Sequence, residues 1–318
     1  MTRKPSKAGI IEAHTKVTAV VPPTPLLPLD VCGVRVWCKC ESEQPVRAFK
    51  LRGAWHRLTA LSEEERKRGV VAFSSGNHAQ GVAWAAKRLG IAATIVMPSD
   101  APRLKIEGTR TLGAEIILYD RMTESREEIA AQIAAERGSI VVPSFDDPWV
   151  IEGQGSAGIE ATEQMTALGL EAPDLIVTPC GGGGLAAGLA LALPDARIAI
   201  AEPEGWDDMG NSLRGGQIVP VGPNPPPTLC DAIQTLRVAP LTFDILKARN
   251  AEAASVSEEE IAEAMRLAHR ALGLTIEPGG AAALAAVMAG KVVPGERTLV
   301  LLSGGNVDPE VFAKLVGD

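Results

Sequence analysis

Residues 69–120 read GVVAFSSGNHAQGVAWAAKRLGIAATIVMPSDAPRLKIEGTRTLGAEIILYD. Three short apolar runs, 70–73, 93–97 and 115–119, have the length and residue types of strands. Helix-forming stretches at 79–89 and 102–112 separate them. A further helix at 124–137 and a strand at 140–142 complete a βαβαβαβ unit, the pattern of a parallel sheet covered by helices. Right-handed crossovers leave few topologies for such a unit.

The same alternation resumes beyond residue 149, with a helix at 151–168, a strand at 174–178, a helix from Leu185 and a strand at 197–201. Upstream, a proline-rich loop at 22–28 precedes a strand at 34–40 (VRVWCKC) and a helix at 50–61. Residues 215–230 (GGQIVPVGPNPPPTLC) are too broken for a regular element and predict an ordered loop beside the site. Helices at 258–272 and 280–289 and a last strand at 298–302 follow, with no regulatory domain expected after them. The fold class is α/β, two parallel-sheet domains with flanking helices. Residues 66–142 form the smaller domain; 1–65 and 143–318 form a larger, discontinuous one.

At 318 residues and 46% hydrophobic content the chain can fill both cores. A net charge of −8 with dispersed basic residues gives no support for nucleic acid or an anionic membrane as partner. The polar amino terminus lacks the apolar core of a signal peptide, and no run of eighteen apolar residues occurs, so the expected location is the cytoplasm. Five cysteines without a CxxC pair predict reduced, packed thiols.

Four motifs carry chemistry, and the last three each follow a strand: Phe49-Lys50, Ser74-Ser75-Gly76-Asn77-His78, Gly181-Gly182-Gly183-Gly184 and Ser303-Gly304-Gly305-Asn306. Four consecutive glycines before a helix let backbone N–H groups wrap an anion such as a phosphate. Lys50 supplies an amine, Asn77 an amide for a phenolate oxygen, and Ser303 a hydroxyl for a ring nitrogen. Together these are the parts that hold pyridoxal phosphate (PLP). A neutral partner at the ring nitrogen leaves a weaker electron sink, suited to β-elimination more than to transamination. His78, just past a Gly-Asn turn, is read as a packing and hydrogen-bonding residue in preference to a base. A nicotinamide-dependent oxidoreductase is the alternative from another class, although GxxxxGK[ST] is absent and no acidic residue stands at the spacing of a dinucleotide fold. A non-catalytic PLP-binding protein is a third.

FKLRGA around Lys50, SSGNHAQG at 74–81, EGQGSAG at 152–158, GGGGLAAG at 181–188 and LLSGGN at 301–306 resemble the serine/threonine dehydratase and serine racemase family, the fold type II PLP enzymes with a tryptophan synthase β-like architecture. The match spans nearly the whole chain, in the family's order. The resemblance implies a Schiff base on Lys50, which would also take the substrate's α-proton. Phe49 would lie against the ring, Asn77 on its phenolic oxygen, Gly181, Gly182, Gly183 and Gly184 on its phosphate, and Ser303 at its nitrogen, all within the larger, PLP-binding domain except Asn77. Ser75 would serve the opposite face in a racemase. The turn Ser74, Ser75, Gly76, Asn77 and His78 would receive the substrate carboxylate. Glu202, the carbonyl of Trp206 and Asp208 match the family's site for Mg²⁺ or Ca²⁺, or else form a solvated acidic turn. A homodimer is implied as well.

Where many family members have Thr-Gly-Ser before Phe-Lys, this chain has Val46-Arg47-Ala48. Arg47 either meets an acidic substrate's second carboxylate or points outward. The expected activity is a PLP-dependent dehydratase (ammonia-lyase) acting on a small β-hydroxy amino acid, L-threonine or L-serine first. Serine racemisation and dehydration of a hydroxyaspartate are the alternatives within the family.

Overall fold

The structure, a computed structural model, describes residues 3–74, 76–101, 103–120 and 122–317, with Leu104 described by its backbone alone. Helix α1 (Lys7–Thr18) leads to β1 (Leu26–Val31), β2 (Val34–Cys40) and α2 (Lys50–Thr59). Then come α3 (Glu63–Arg68), β3 (Val70–Phe73), α4 (Asn77–Leu89), β4 (Ala93–Pro98), α5 (Arg103–Thr111), β5 (Glu115–Tyr119), α6 (Arg126–Arg137) and β6 (Ile140–Val141). The long α7 (Pro148–Ala167) is followed by β7 (Leu175–Pro179), α8 (Gly184–Ala192), β8 (Arg197–Pro203), α9 (Asp208–Gly215) and α10 (Pro240–Ala248). The chain ends through β9 (Glu252–Val256), α11 (Glu258–Leu272), α12 (Pro278–Met288), β10 (Thr298–Leu302) and α13 (Pro309–Val316).

Two sheets result. One is four-stranded and wholly parallel, in the order β5-β4-β3-β6. The other is six-stranded, in the order β1-β2-β10-β7-β8-β9, and parallel except for β1, which runs antiparallel to β2. The expected alternation is therefore present, with differences at the edges. β1 begins inside the stretch expected to be a proline-rich loop; Pro28 is tolerated there because an edge strand needs hydrogen bonds on one side only. β9 is the opposite edge, and its alanine-rich sequence gives little strand signal. α1 was hidden by its polar composition. It docks through Ile10, Ala13 and Val17, all fully buried.

Glycines set how closely the central helices pack. A Cβ at Gly153 of α7 would lie 2.4 Å from Gly53 Cα of α2, and one at Gly188 of α8 would lie 2.4 Å from the Ile151 carbonyl of α7. On the other side of α2, a Cβ at Gly81 of α4 would come within 3.0 Å of the Lys50 carbonyl. Helices α4 and α7 thus fix the first turn of α2, and α8 backs α7. A buried ionic network reinforces this: Arg52 donates to Glu41 at 2.7 and 2.8 Å and to Glu160 at 2.8 and 3.0 Å, and Lys39 reaches Glu160 at 2.6 Å. Lys39 is the charged residue between Cys38 and Cys40, and the whole of this strand end is buried. All five cysteines are free thiols, Cys32 alone being exposed. Among the described residues no helix is long and apolar enough to cross a membrane.

Candidate active site

The carboxyl ends of β7 and β10 and the start of α2 meet at one cavity. Its lining includes Phe49, Lys50, Ser74, Gly76, Asn77, His78, Gly181, Gly182, Gly183, Gly184 and Ser303. Ser75 lies outside the described residues. Lys50 owes its place to an antiparallel bridge between Ala48 and Gly304 and to the Phe49 N–H, which donates to the Ser303 carbonyl at 3.1 Å. These bonds tie the start of α2 to the end of β10. The Lys50 Nζ donates to the Ser144 carbonyl at 2.8 Å and stands 5.1 Å from the Phe49 ring centroid. Burial lowers its ammonium to about 8, since a charged amine is poorly solvated there.

The glycine run follows β7 and opens α8. Gly183 adopts the left-handed conformation at φ +84°, the N-cap position of that helix, which favours glycine. At Gly182 a side chain has no room, because a Cβ would meet the Phe145 ring at 2.2 Å. The Thr242 hydroxyl donates to the Gly182 carbonyl at 2.8 Å and braces the loop. Backbone N–H groups at a helix start, in the same cavity as a desolvated amine, fit a phosphate at one end of a ligand and a carbonyl carbon at the other. Gly182→Ala is expected to weaken cofactor retention about tenfold or more: overpacking of about 1–3 kcal/mol must move either the loop or the Phe145 wall. Equilibrium titration of the apoprotein with PLP reads this; unchanged retention would remove the loop from the binding site.

In the Ser74–His78 turn the Gly76 N–H is taken by Ser74 Oγ at 3.2 Å, so that donor does not face the cavity freely as expected. Asn77 donates to Glu277 Oε1 at 2.5 Å and accepts from Asn306 at 2.8 Å. His78 Nε2 meets the Val142 carbonyl at 2.9 Å, so this nitrogen carries the proton. Burial, aided by the Lys50 charge, pushes His78 down to about 3 and keeps it neutral, in line with a structural imidazole.

Comparison with known proteins bears directly on this cavity. Residues 17–304 match the family model described as pyridoxal-phosphate dependent enzyme. The chain belongs to this family. An L-threo-3-hydroxyaspartate ammonia-lyase of Saccharomyces cerevisiae is 39% identical over 98% of this chain and 96% of its own length. An L-threonine ammonia-lyase of Thermotoga maritima is 40% identical over 90% of this chain and 71% of its own. The solved structure of maize serine racemase superposes with a TM-score of 0.90 at 33% identity, covering 98% of this chain and 97% of that one. The chain is thus a fold type II PLP enzyme.

Several groups of this PLP enzyme's cavity were not anticipated from the sequence. Ser144 and Phe145 enter from the segment after β6, and Lys105, Arg126, Asp231 and Glu277 add charge. Lys105, on α5, pairs with Asp231 across the cleft between the two sheets. Arg126 stands at the start of α6 with its guanidinium 5.5 Å from the Phe73 ring centroid. Glu277 is buried, which raises its carboxyl to about 7. Arg47 does not line this cavity. Its backbone is left-handed at φ +54°, and its exposed guanidinium donates to the Thr275 carbonyl at 3.3 Å on the outer side.

The residues expected to bind a cation lie elsewhere, at the end of β8. Glu202 is fully buried and accepts from the Met209 and Gly210 N–H groups at 3.1 and 2.8 Å. Among the described residues both carboxylate oxygens of Asp208 are buried with no hydrogen-bond partner. Burial and mutual repulsion raise the Glu202 carboxyl well above its usual range, and burial raises that of Asp208 to about 7. Trp206 is fixed through its indole N–H on the Pro226 carbonyl at 2.8 Å, which draws the proline-rich loop over this acidic site. Two neighbouring carboxylates, one with orphaned oxygens, suit a hard cation with oxygen ligands and several waters. The alternative of a solvated acidic turn does not match this burial.

Proposed function

We propose that this PLP enzyme is an ammonia-lyase that removes water from a β-hydroxy amino acid and yields a 2-oxo acid and ammonia. The observation that carries the reading is Lys50, an amine lowered to about 8 in the same cavity as the glycine loop. When bound, the cofactor supplies an electron-withdrawing ring that makes the substrate's α-proton removable. Lys50 is the base that takes this proton, being neutral in a useful fraction near neutrality and within the cavity. Phe49 would flank the ring, Asn77 would donate to its phenolic oxygen, Ser303 would meet its nitrogen, and Gly181 to Gly184 would hold its phosphate, all of them lining the one cavity. The Ser74–His78 turn receives the substrate carboxylate, and Ser75 is the proton carrier for the opposite face that keeps serine racemisation within reach. Glu202, the Trp206 carbonyl and Asp208 hold Mg²⁺ or Ca²⁺.

We further take 66–142 as the small domain, the remainder as the PLP-binding one, and a cytoplasmic homodimer as the working form. Membership of the PLP family leaves the nicotinamide reading without support.

Arg126 favours a second substrate reading. Its guanidinium lines the cavity, with Nε donating to the exposed Glu127 at 2.8 Å, and the yeast relative is named for an acidic substrate. A guanidinium there suits a second carboxylate bidentately. Arg126→Met is therefore expected to cut kcat/KM for L-threo-3-hydroxyaspartate by about tenfold or more, a charge-assisted bond being worth about 1.5–3 kcal/mol. Activity on L-serine and L-threonine should change little. The same assay of 2-oxo acid release from all three substrates tests the function itself: a protein that carries PLP and releases no oxo acid from any of them is not this lyase.

A further inference from the structure

The amide of Asn77 has its polarity fixed by a chain of hydrogen bonds that starts at the main-chain carbonyl of Val46. A carbonyl only accepts, so Asn306 must turn its amide nitrogen towards it, and does so at 2.8 Å. The other hydrogen of that nitrogen goes to Asn77 Oδ1 at 2.8 Å. Asn77 consequently presents its own nitrogen on the opposite side, where one hydrogen is donated to Glu277 Oε1 at 2.5 Å. The remaining hydrogen is left for the cavity that Asn77 lines.

Glu277 is placed oddly for a structural residue. It is the N-cap of α12 with extended backbone, yet its carboxylate makes no capping bond to that helix. It is 1% exposed, and its Oε2 has no partner among the described residues. Gly304 makes the room, since a Cβ there would lie 2.2 Å from Glu277 Oε1 and 3.2 Å from Asn77 Nδ2. Burying a carboxylate in this way is unfavourable and earns no helix cap in return.

We infer that Glu277 is a positioning residue that acts through Asn77. Together with Asn306 it holds the Asn77 amide so that nitrogen, and never oxygen, faces the bound cofactor. This rests on the reading of Asn77 as partner of the phenolic oxygen. With the amide rotated, Oδ1 would oppose that oxygen, acceptor against acceptor. With the proton of its raised carboxyl absent or on the otherwise unpartnered Oε2, Glu277 Oε1 only accepts, so Glu277 disfavours the rotated state from one end while Asn306 disfavours it from the other.

The test uses the holoenzyme and the pH titration of the absorption band of its lysine-bound cofactor. Glu277→Leu should retain cofactor that borohydride fixes to Lys50, yet shift the apparent pKa of the band by about one to two units. Glu277→Gln, which can still offer an oxygen to Asn77, should titrate like the wild type. In an Asn77→Ala background, E277L should add nothing, because the group it acts through is gone. Should E277L fail to fold by circular dichroism, Asn306→Ala asks the same question from the other end, and it too should shift the band only while Asn77 is present. A band shifted by N77A but indifferent to E277L, or to N306A in its stead, overturns the role of Glu277 alone. An E277L shift that persists in the N77A background overturns it as well. A band untouched by N77A overturns the assignment of Asn77 itself.

Discussion

Lys50→Ala is expected to abolish release of 2-oxo acid from every β-hydroxy amino acid and to leave the protein without borohydride-fixable cofactor. General-base catalysis alone contributes on the order of 10²–10⁴, and the same amine also anchors the cofactor, so a loss on the order of 10⁴ or more is expected. The substitution removes a half-buried side chain whose polar bond is to the Ser144 carbonyl, so the fold should survive it. Mass mapping after reduction should place the cofactor on Lys50 in the wild type and on no residue in the variant. Fixation on another lysine, Lys105 also lining this cavity, would sink the assignment.

The lowered Lys50 adds a pH signature. Its folded value of about 8 lies below the ordinary lysine value of about 10.5. At pH 7 about a tenth of the folded amine is neutral, against well under a thousandth in the unfolded chain. Uptake of PLP by the apoprotein should therefore accelerate as pH rises towards 8 and level off beyond it. Between about 8 and 10.5 the unfolded chain binds more protons than the folded one, so stability of the apoprotein rises across that window. Lys50→Met should lack that rise.

The sheet alternation was legible because each strand of the four-stranded sheet is a compact apolar run with a helix behind it. The residues around Asn77, Gly181 to Gly184 and Ser303 were legible for a related reason: each sits where an apolar run ends in glycine or serine, a local signal of a strand's carboxyl end, whereas Lys50 opens a helix and was legible only in their company. Part of that signal is packing. Gly53, Gly81, Gly153 and Gly188 let helices approach backbone to backbone. Glu277 has no such signature. In Thr275-Ile276-Glu277-Pro278-Gly279-Gly280 it reads as a helix cap, and only the adjacency of β10 and α12 brings it to a residue 200 positions earlier. Lys105 sits in the first turn of α5 and Asp231 opens a single 3-10 turn (Asp231–Ile233), and their pairing depends on how the two sheets face each other.

Removal of divalent cation is expected to destabilise the protein more than any change at the cavity rim. Glu202 and Asp208 bury two carboxyl groups side by side, and each orphaned buried oxygen costs about 1–3 kcal/mol unless something binds it. A cation that binds only the folded state at a hundredfold excess over its Kd contributes about 2.7 kcal/mol, which for a chain of 318 residues is on the order of 4 °C in Tm. Chelation should lower Tm by that amount, and Mg²⁺ or Ca²⁺ should restore it. Asp208→Asn removes one charge and one ligand oxygen, so the variant should melt at the same temperature with and without cation. The neutral amide relieves repulsion of Glu202, which predicts an Asp208→Asn protein no less stable than the chelated wild type. A wild-type Tm indifferent to chelator and to added cation would assign these carboxyls to proton-sharing instead. Selective rescue by one of the two ions would report the size of the site, since Mg²⁺ demands six close ligands and Ca²⁺ tolerates more and longer ones.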